Sequence, residues 1–126
     1  NIRVISIIDM FLEHTRAFMY FNGGRQDVFL SSADWMTRNL DHRVELLFPV
    51  SSPEHKHRIA SALESYFMDN THAWELNADG TWKKIIPGKG TAEFRAQESF
   101  ARKAAENAAE REKCERKALK VRRKAP

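Results

Sequence analysis

The sequence predicts an α/β domain, with a mixed sheet flanked by helices and a basic helix at the C-terminal end. Short β-branched and aromatic runs separated by turn residues fill the first 50 positions, a pattern typical of strands. A helix-start signal follows at Ser52, and residues 91–126 are rich in Ala, Glu, Lys and Arg, which favours a long helix. We therefore predict a domain over residues 1–90 and a helical, basic tail over residues 91–126.

Strands and a glycine turn are predicted near the start of the chain. Ile2–Ile8 is a nearly continuous β-branched run, which indicates a buried strand. Ala17–Phe21 and Val28–Leu30 are apolar runs joined by a loop that contains Gly23 and Gly24, which predicts an antiparallel hairpin. In such a hairpin the start of the first strand lies beside the end of the second strand.

The rest of the predicted domain adds a strand, a helix and a second hairpin. Val44–Val50 is predicted as a strand at a sheet edge or end, because Pro49 has no backbone N–H to donate. Ser52 and Pro53 suit the N-cap and the first position of a helix. Its apolar stripe faces the sheet and consists of Ile59, Leu63, Tyr66 and Phe67. The turn signal at residues 77–80 predicts the second hairpin.

Charge and composition limit the classes of function. Residues 91–126 hold 11 basic and 6 acidic side chains, a net charge of +5, so the whole-chain charge of +4 leaves −1 for residues 1–90. The basic tail is interpreted as a solvated helix, with attraction to a polyanion as the alternative. No aromatic residue follows Phe100, so stacking on nucleic-acid bases is not expected. A single cysteine, Cys114, and the lack of any apolar run near about 20 residues favour a cytoplasmic protein without a membrane span.

Polar and charged side chains gather where the first predicted hairpin opens. Such groups at the ends of otherwise apolar strands are typical of ligand sites. The segment from Trp35 to His42, predicted as a loop or one helical turn, adds to them. The candidate site residues are two before the hairpin, two after it and two later arginines: His14, Arg16, Ser32, Asp34, Arg38 and Arg43.

These residue types suit phosphate chemistry. Arginine can clamp phosphate oxygens in a forked geometry, and an imidazole can donate to a phosphate oxygen or help a leaving group depart. The alternative for the arginines is ion pairing with Glu13, Asp34, Asp41 or Glu45, and we expect at least one such pair. Ser32 and Asp34 either position His14 or only end the strand in a turn.

Two segments resemble a known family. Residues 11–16 have the sequence FLEHTR, and residues 31–45 have the sequence SSADWMTRNLDHRVE. They closely resemble the C-terminal region of bacterial polyphosphate kinases, whose catalytic core is similar to phospholipase D. The resemblance extends over residues 1–105. It implies a phospholipase-D-like domain that is the C-terminal part of a longer polypeptide.

The resemblance also implies an activity and its participants. These enzymes transfer the terminal phosphate of ATP reversibly to inorganic polyphosphate. His14 is implied to be a second essential, catalytic histidine near the nucleotide, with Arg16, Ser32, Asp34, Arg38 and Arg43 around ATP and phosphate. The phosphate-accepting histidine and the ligands of Mg²⁺ are expected upstream of Asn1, so the isolated chain is expected to be inactive. The full-length enzyme is expected to be a homo-oligomer in the cytoplasm. Association with the inner membrane face or with polyphosphate granules is compatible with this location.

Two other classes of function stay open. The first is a phosphodiesterase of the phospholipase D type. The motif of that class has Lys at the position of Arg16 and Asn at the position of Asp34. A non-enzymatic polyanion-binding module would depend mainly on the basic tail. His55 and His57 have poor metal-ligand spacing for a helix, so no metal site is predicted within the chain.

Overall fold

The computed structural model describes residues 2–118 of the chain, and the side chains of residues 2–113. In this part, six strands and three helices follow in the order β1 (Ile5–Ile7), β2 (Ala17–Asn22), β3 (Arg25–Ser31), α1 (Thr37–His42), β4 (Leu47–Pro49), α2 (Pro53–Met68), β5 (Ala73–Leu76), β6 (Trp82–Lys84) and α3 (Ala96–Ala118). The predicted α/β class is confirmed.

The strands form two sheets of three strands each, in the orders β1-β5-β6 and β2-β3-β4. Every strand pairing in the described part of the chain is antiparallel, whereas the sequence predicted one mixed sheet. Tight hairpins join β2 to β3 and β5 to β6, and such short connections allow only antiparallel neighbours. Pro49 lies in β4, which pairs with β3 at a sheet edge as predicted.

The first hairpin forms where the sequence predicts it. Ala17 pairs with Leu30 at its open end, and Asn22 pairs with Arg25 beside the tip. The tip glycines have φ angles of 59° and 93°, conformations that glycine adopts without a Cβ clash. The backbone N–H of Ser31 donates to the carbonyl oxygen of Arg16 at 2.8 Å. The pairing therefore continues one step beyond β2, toward the candidate site.

Two predictions about burial are wrong. β1 covers only Ile5–Ile7 and is half-buried, and Ile2 is 90% exposed. The cause is the position of β1 at a sheet edge, where β5 is its one strand partner among the described residues. Phe67 is also exposed. The buried residues of α2 are Ala60 and Ser65, so the face of α2 that packs against the domain is rotated from the predicted stripe.

The buried interior of the described chain is small. Val28 is its largest fully buried apolar side chain, and the other buried apolar residues are alanines. Large apolar side chains remain in contact with water, among them Phe11, Trp35 and Val44, which is 99% exposed. Exposed apolar side chains in this number are more typical of faces that pack against other protein than of a solvated surface.

A buried carboxylate joins α2, β5 and α3. Asp69 follows the last residue of α2 and is 1% exposed. Its Oδ1 accepts from the backbone N–H groups of Thr71 and His72 at 3.0 and 2.7 Å, and its Oδ2 accepts from the N–H of Ala96 at 2.8 Å. Asp69 therefore supplies an acceptor to the first turn of α3, where helical N–H groups lack partners.

The helix α3 contacts the domain through its first turns. Ala96 and Ser99 are buried, whereas residues 101–113 are exposed, as a solvated helix would be. The segment before it is also attached, since Asn70 donates to the carbonyl of Ala92 and accepts from the N–H of Phe94. The domain boundary after residue 90 stays a prediction. No helix in the described part of the chain has the length and apolar composition needed to cross a bilayer.

Candidate active site

The segment between β1 and β2 brings His14 to the open end of the first hairpin. It contains no helix or strand, so side-chain contacts hold it instead. The N–H of Phe11 donates to Oε1 of Gln97 at 3.0 Å, and Nε2 of Gln97 donates to the carbonyl of Phe11 at 2.7 Å. Gln97 thereby pairs with the backbone of Phe11 as a neighbouring strand would.

A buried ion pair fixes the start of this segment. The side chain of Asp9 is 1% exposed, and its carboxylate accepts from Nε of Arg95 at 2.9 and 3.1 Å and also from a terminal nitrogen of the same guanidinium. The hydrogen bond from Arg95 is the main cause that lowers the pKa of Asp9 to about 2, with a further contribution from His72. Nε2 of His72 lies 3.9 Å from Asp9. The carboxylate is therefore ionised in the folded chain at neutral pH.

The two chain neighbours of His14 contact one hydroxyl group. The phenol of Tyr66 donates to Oε2 of Glu13 at 2.7 Å and lies 2.8 Å from Oγ1 of Thr15. The other carboxylate oxygen of Glu13 accepts from Gln97 at 2.8 Å. Burial raises the pKa of Tyr66, so the phenol is protonated at neutral pH and able to donate.

Arg16 and Asp34 form an ion pair across the open end of the hairpin. Nε of Arg16 lies 2.5 Å from Oδ1 of Asp34. The hydrogen bond from Arg16 is the main cause that lowers the pKa of Asp34, and the nearby charges of His14 and Arg38 lower it further. The same contact raises the pKa of Arg16. The expected pairing of at least one arginine with a carboxylate is confirmed, and His14, Arg16, Asp34 and Arg38 share one electrostatic neighbourhood.

Ser32 connects the end of β3 to the segment before β4. Its Oγ donates to Oε2 of Glu45 and accepts from the N–H of Leu46 at 2.9 Å. The charge of Glu45 also contributes to the raised pKa of Arg16, so Glu45 belongs to the same neighbourhood. Within the described residues, Ser32 makes no hydrogen bond with His14, and its contacts are those of a residue that joins two strands.

The two later arginines lie on and after α1. Arg38 is exposed on this short helix, and Arg43 is the exposed residue at which the helix ends. Among the described residues, no hydrogen bond or ion pair joins Arg43 to the other site residues. Trp35 stacks on Phe18 with ring centroids 6.1 Å apart, which attaches the segment before α1 to the hairpin.

Sequence patterns do not reveal three residues that shape the site. Tyr66 was assigned to an apolar stripe, although a partly buried tyrosine hydroxyl usually has a hydrogen-bond partner and this need was a usable signal. Glu45 was considered only as a partner for arginine, and its contact with Ser32 was not expected. Gln97 gave no signal, because its partners lie 84 and 86 residues away along the chain.

The site offers cationic groups and an imidazole, but no group of metal ligands. Within the described residues, no cluster of three or more His, Cys, Asp or Glu side chains is placed to hold a metal ion. The contact with Asp34 uses Nε of Arg16 and leaves its terminal nitrogens free to donate to a bound anion. His14 is exposed, and its charge contributes to the lowered pKa of Asp34, the partner of Arg16. The site can therefore offer a guanidinium and an imidazole to a bound anion.

The fold is an α/β domain with two antiparallel sheets, and comparison with a solved structure defines its class. A solved structure, the crystal structure of polyphosphate kinase from Porphyromonas gingivalis, matches it with a TM-score of 0.76 and 36% sequence identity. The match covers 85% of this chain and 16% of that chain. The family model described as polyphosphate kinase C-terminal domain 2 matches residues 1–97, and the chain belongs to this family.

Similar proteins from several organisms agree with this family. A protein from Rhodopirellula baltica named polyphosphate kinase is 47% identical over 107 residues, which is 85% of this chain and 13% of the relative. One from Pseudomonas putida, with the same name, is 54% identical over 87 residues, which is 69% of this chain and 12% of the relative. The chain thus spans only a small part of the length of these relatives.

Proposed function

We propose that this chain is the C-terminal part of a polyphosphate kinase, which transfers the terminal phosphate of ATP reversibly to inorganic polyphosphate: ATP + polyP(n) = ADP + polyP(n+1). The observation that supports it most strongly is that the Arg16–Asp34 pair, with His14 nearby, lies within the residues that the family model matches. A protein site that catalyses this reaction must neutralise the charge of the phosphates and align them, and arginine and histidine side chains can do both.

His14 is the proposed catalytic residue of this segment. Its imidazole donates a proton or a hydrogen bond to an oxygen of the transferred or leaving phosphate. Arg16, Arg38 and Arg43 supply positive charge to the nucleotide and the polyphosphate chain. Since the carboxylate of Asp34 is engaged by Arg16, its proposed role is to orient that guanidinium, and Ser32 keeps the end of β3 in place through Glu45.

The remaining participants are proposed to lie outside this segment. Mg²⁺ would neutralise the ATP phosphates, and its protein ligands are proposed to lie in other parts of the polypeptide. The exposed apolar side chains, such as Trp35 and Val44, support packing against those parts. The full-length enzyme is proposed to be a homo-oligomer in the cytoplasm, where a phosphoprotein intermediate would form on the upstream histidine.

The other classes of function have weaker support. The relatives are named polyphosphate kinases, and the residues at Arg16 and Asp34 depart from the phospholipase D pattern, so a phosphodiesterase is not favoured. A non-enzymatic polyanion-binding module would depend mainly on the basic tail and would not require a histidine at position 14.

A chimera tests the proposal. Residues 1–105, which include Gln97 and Phe100 of α3, replace the corresponding segment of the Pseudomonas putida relative, and a second chimera uses the Rhodopirellula baltica relative as host. With ATP and Mg²⁺, both chimeras are expected to form long-chain polyphosphate, whereas the 126-residue chain alone forms none, because transfer requires groups that it lacks. Chimeras that fold with the melting temperature of their hosts but form no polyphosphate would refute the proposal.

A further inference from the structure

We infer that Tyr66 is a positioning residue for His14, whose imidazole it directs toward the reacting phosphate by holding the two neighbouring residues with one hydroxyl group. The inference rests on the proposed function of His14 and deepens it. It adds to the site a helix residue that touches neither substrate nor His14 itself.

The hydroxyl group of Tyr66 holds the chain on both sides of His14. Glu13 and Thr15 both reach this oxygen, at 2.7 and 2.8 Å, so their side chains lie on the same side of the backbone. Because both neighbours of His14 are held by the same oxygen, the backbone on each side of His14 is anchored to α2, which limits the directions that the imidazole can take. His14 itself is exposed, so its imidazole is accessible to a bound phosphate.

The hydroxyl group is itself held by two helices. Tyr66 belongs to α2, and its ring packs edge-to-face against Phe100 of α3 with centroids 5.2 Å apart. Gln97 of α3 donates to the second oxygen of Glu13, so the carboxylate has a donor on each oxygen. The loop that carries His14 is therefore attached, through the residues on either side of His14, to a pair of packed helices, as the support of a catalytic group requires.

Removal of the hydroxyl group leaves the ring packing intact but loosens the loop at His14, although Gln97 still holds the loop at Phe11 and Glu13. Tyr66→Phe keeps the ring against Phe100 and breaks the contacts with Glu13 and Thr15. A misplacement of a catalytic group by about 1 Å can reduce the rate by about 10²-fold. In the chimera we therefore expect kcat to fall by about 10- to 100-fold, while the KM for ATP changes by less than about twofold.

A matched control separates this effect from the loss of any tyrosine hydroxyl. Tyr20 also packs edge-to-face, against Phe29 at 6.0 Å, and its hydroxyl makes no hydrogen bond within the described residues. Tyr20→Phe is expected to keep kcat and KM. Thr15→Val is a second variant that breaks only one of the two contacts, and it is expected to lower kcat in the same direction by a smaller factor.

A measurement that needs no activity completes the test. In the 126-residue chain, we expect an NMR order parameter of about 0.85 for the backbone amide of His14. The order parameter should fall to about 0.6 in Tyr66→Phe and stay unchanged in Tyr20→Phe. If chimeras that carry the unaltered segment are inactive, the proposed function is refuted. The order parameter of His14 then still tests whether Tyr66 holds the loop. An active chimera in which Tyr66→Phe and Thr15→Val keep kcat would overturn the inference, and so would a rise in KM with kcat unchanged.

Discussion

Alanine at position 14 is expected to lower polyphosphate formation by the chimera by about 10²- to 10⁴-fold, the contribution typical of an acid–base group. The fold should be unaffected, because His14 is exposed and makes no hydrogen bond or ion pair with another described residue. Its side chain lies beside the Arg16–Asp34 pair, where it contributes to the lowered pKa of Asp34. The rate is measured from labelled ATP under saturating substrate, and the melting temperature is recorded for each variant.

His57 provides the control for this substitution. It is also exposed, and it lies on α2 without a hydrogen bond to the described residues. His57→Ala is expected to keep the rate of the unaltered chimera. If His14→Ala kept that rate as well, with an unchanged melting temperature, His14 would be an ordinary surface histidine.

The largest expected effect on stability comes from Asp9→Asn. The carboxylate of Asp9 is buried against Arg95, and its pKa of about 2 lies below the ordinary value of 3.8. At about 1.4 kcal/mol per pKa unit, the ionised form adds about 2 kcal/mol to the free energy of unfolding at neutral pH. The guanidinium of Arg95 is 32% exposed and is solvated when it loses its partner, so the expected loss stays at about 2 kcal/mol.

The pH dependence gives this prediction a sign. Because the pKa is lower in the folded chain than in the unfolded chain, the stabilisation is complete above about pH 4 and is lost as the pH falls toward about 2. Asp9→Asn should lack this acid-dependent loss, while Asp41→Asn, at an exposed aspartate, should retain it. Denaturant unfolding between pH 2 and pH 7 provides the measurement. Identical pH profiles for Asp9→Asn and the unaltered chain would contradict the assignment.

Local patterns predicted the elements that surround the site. The glycine turn fixed the tip of the first hairpin, and the antiparallel pairing then placed Arg16 beside Asp34, as the ion pair at 2.5 Å confirms. Helix α2 begins at Pro53, where the serine–proline signal predicted it. These features depend on residues close together in the sequence, for which turn geometry and capping provide direct physical rules.

Contacts between distant parts of the chain were not predictable in the same way. Tyr66 contacts Glu13 from 53 positions away, and a helical stripe does not specify which partner its polar atom will find. Ile2–Ile8 was predicted to be buried from its β-branched residues alone. Burial also depends on what covers each face, and among the described residues nothing pairs with the outer edge of β1.

The reverse reaction tests the central proposal most directly. The chimera is supplied with ADP, Mg²⁺ and long-chain polyphosphate, and the formation of ATP is followed by luminescence. A phosphotransferase forms ATP because ADP accepts the phosphoryl group, whereas a phosphodiesterase transfers the phosphoryl group to water. We expect ADP-dependent formation of ATP, lost in His14→Ala and retained in His57→Ala. Release of orthophosphate without ATP, or equal formation of ATP in both variants, would contradict the proposed role of this segment.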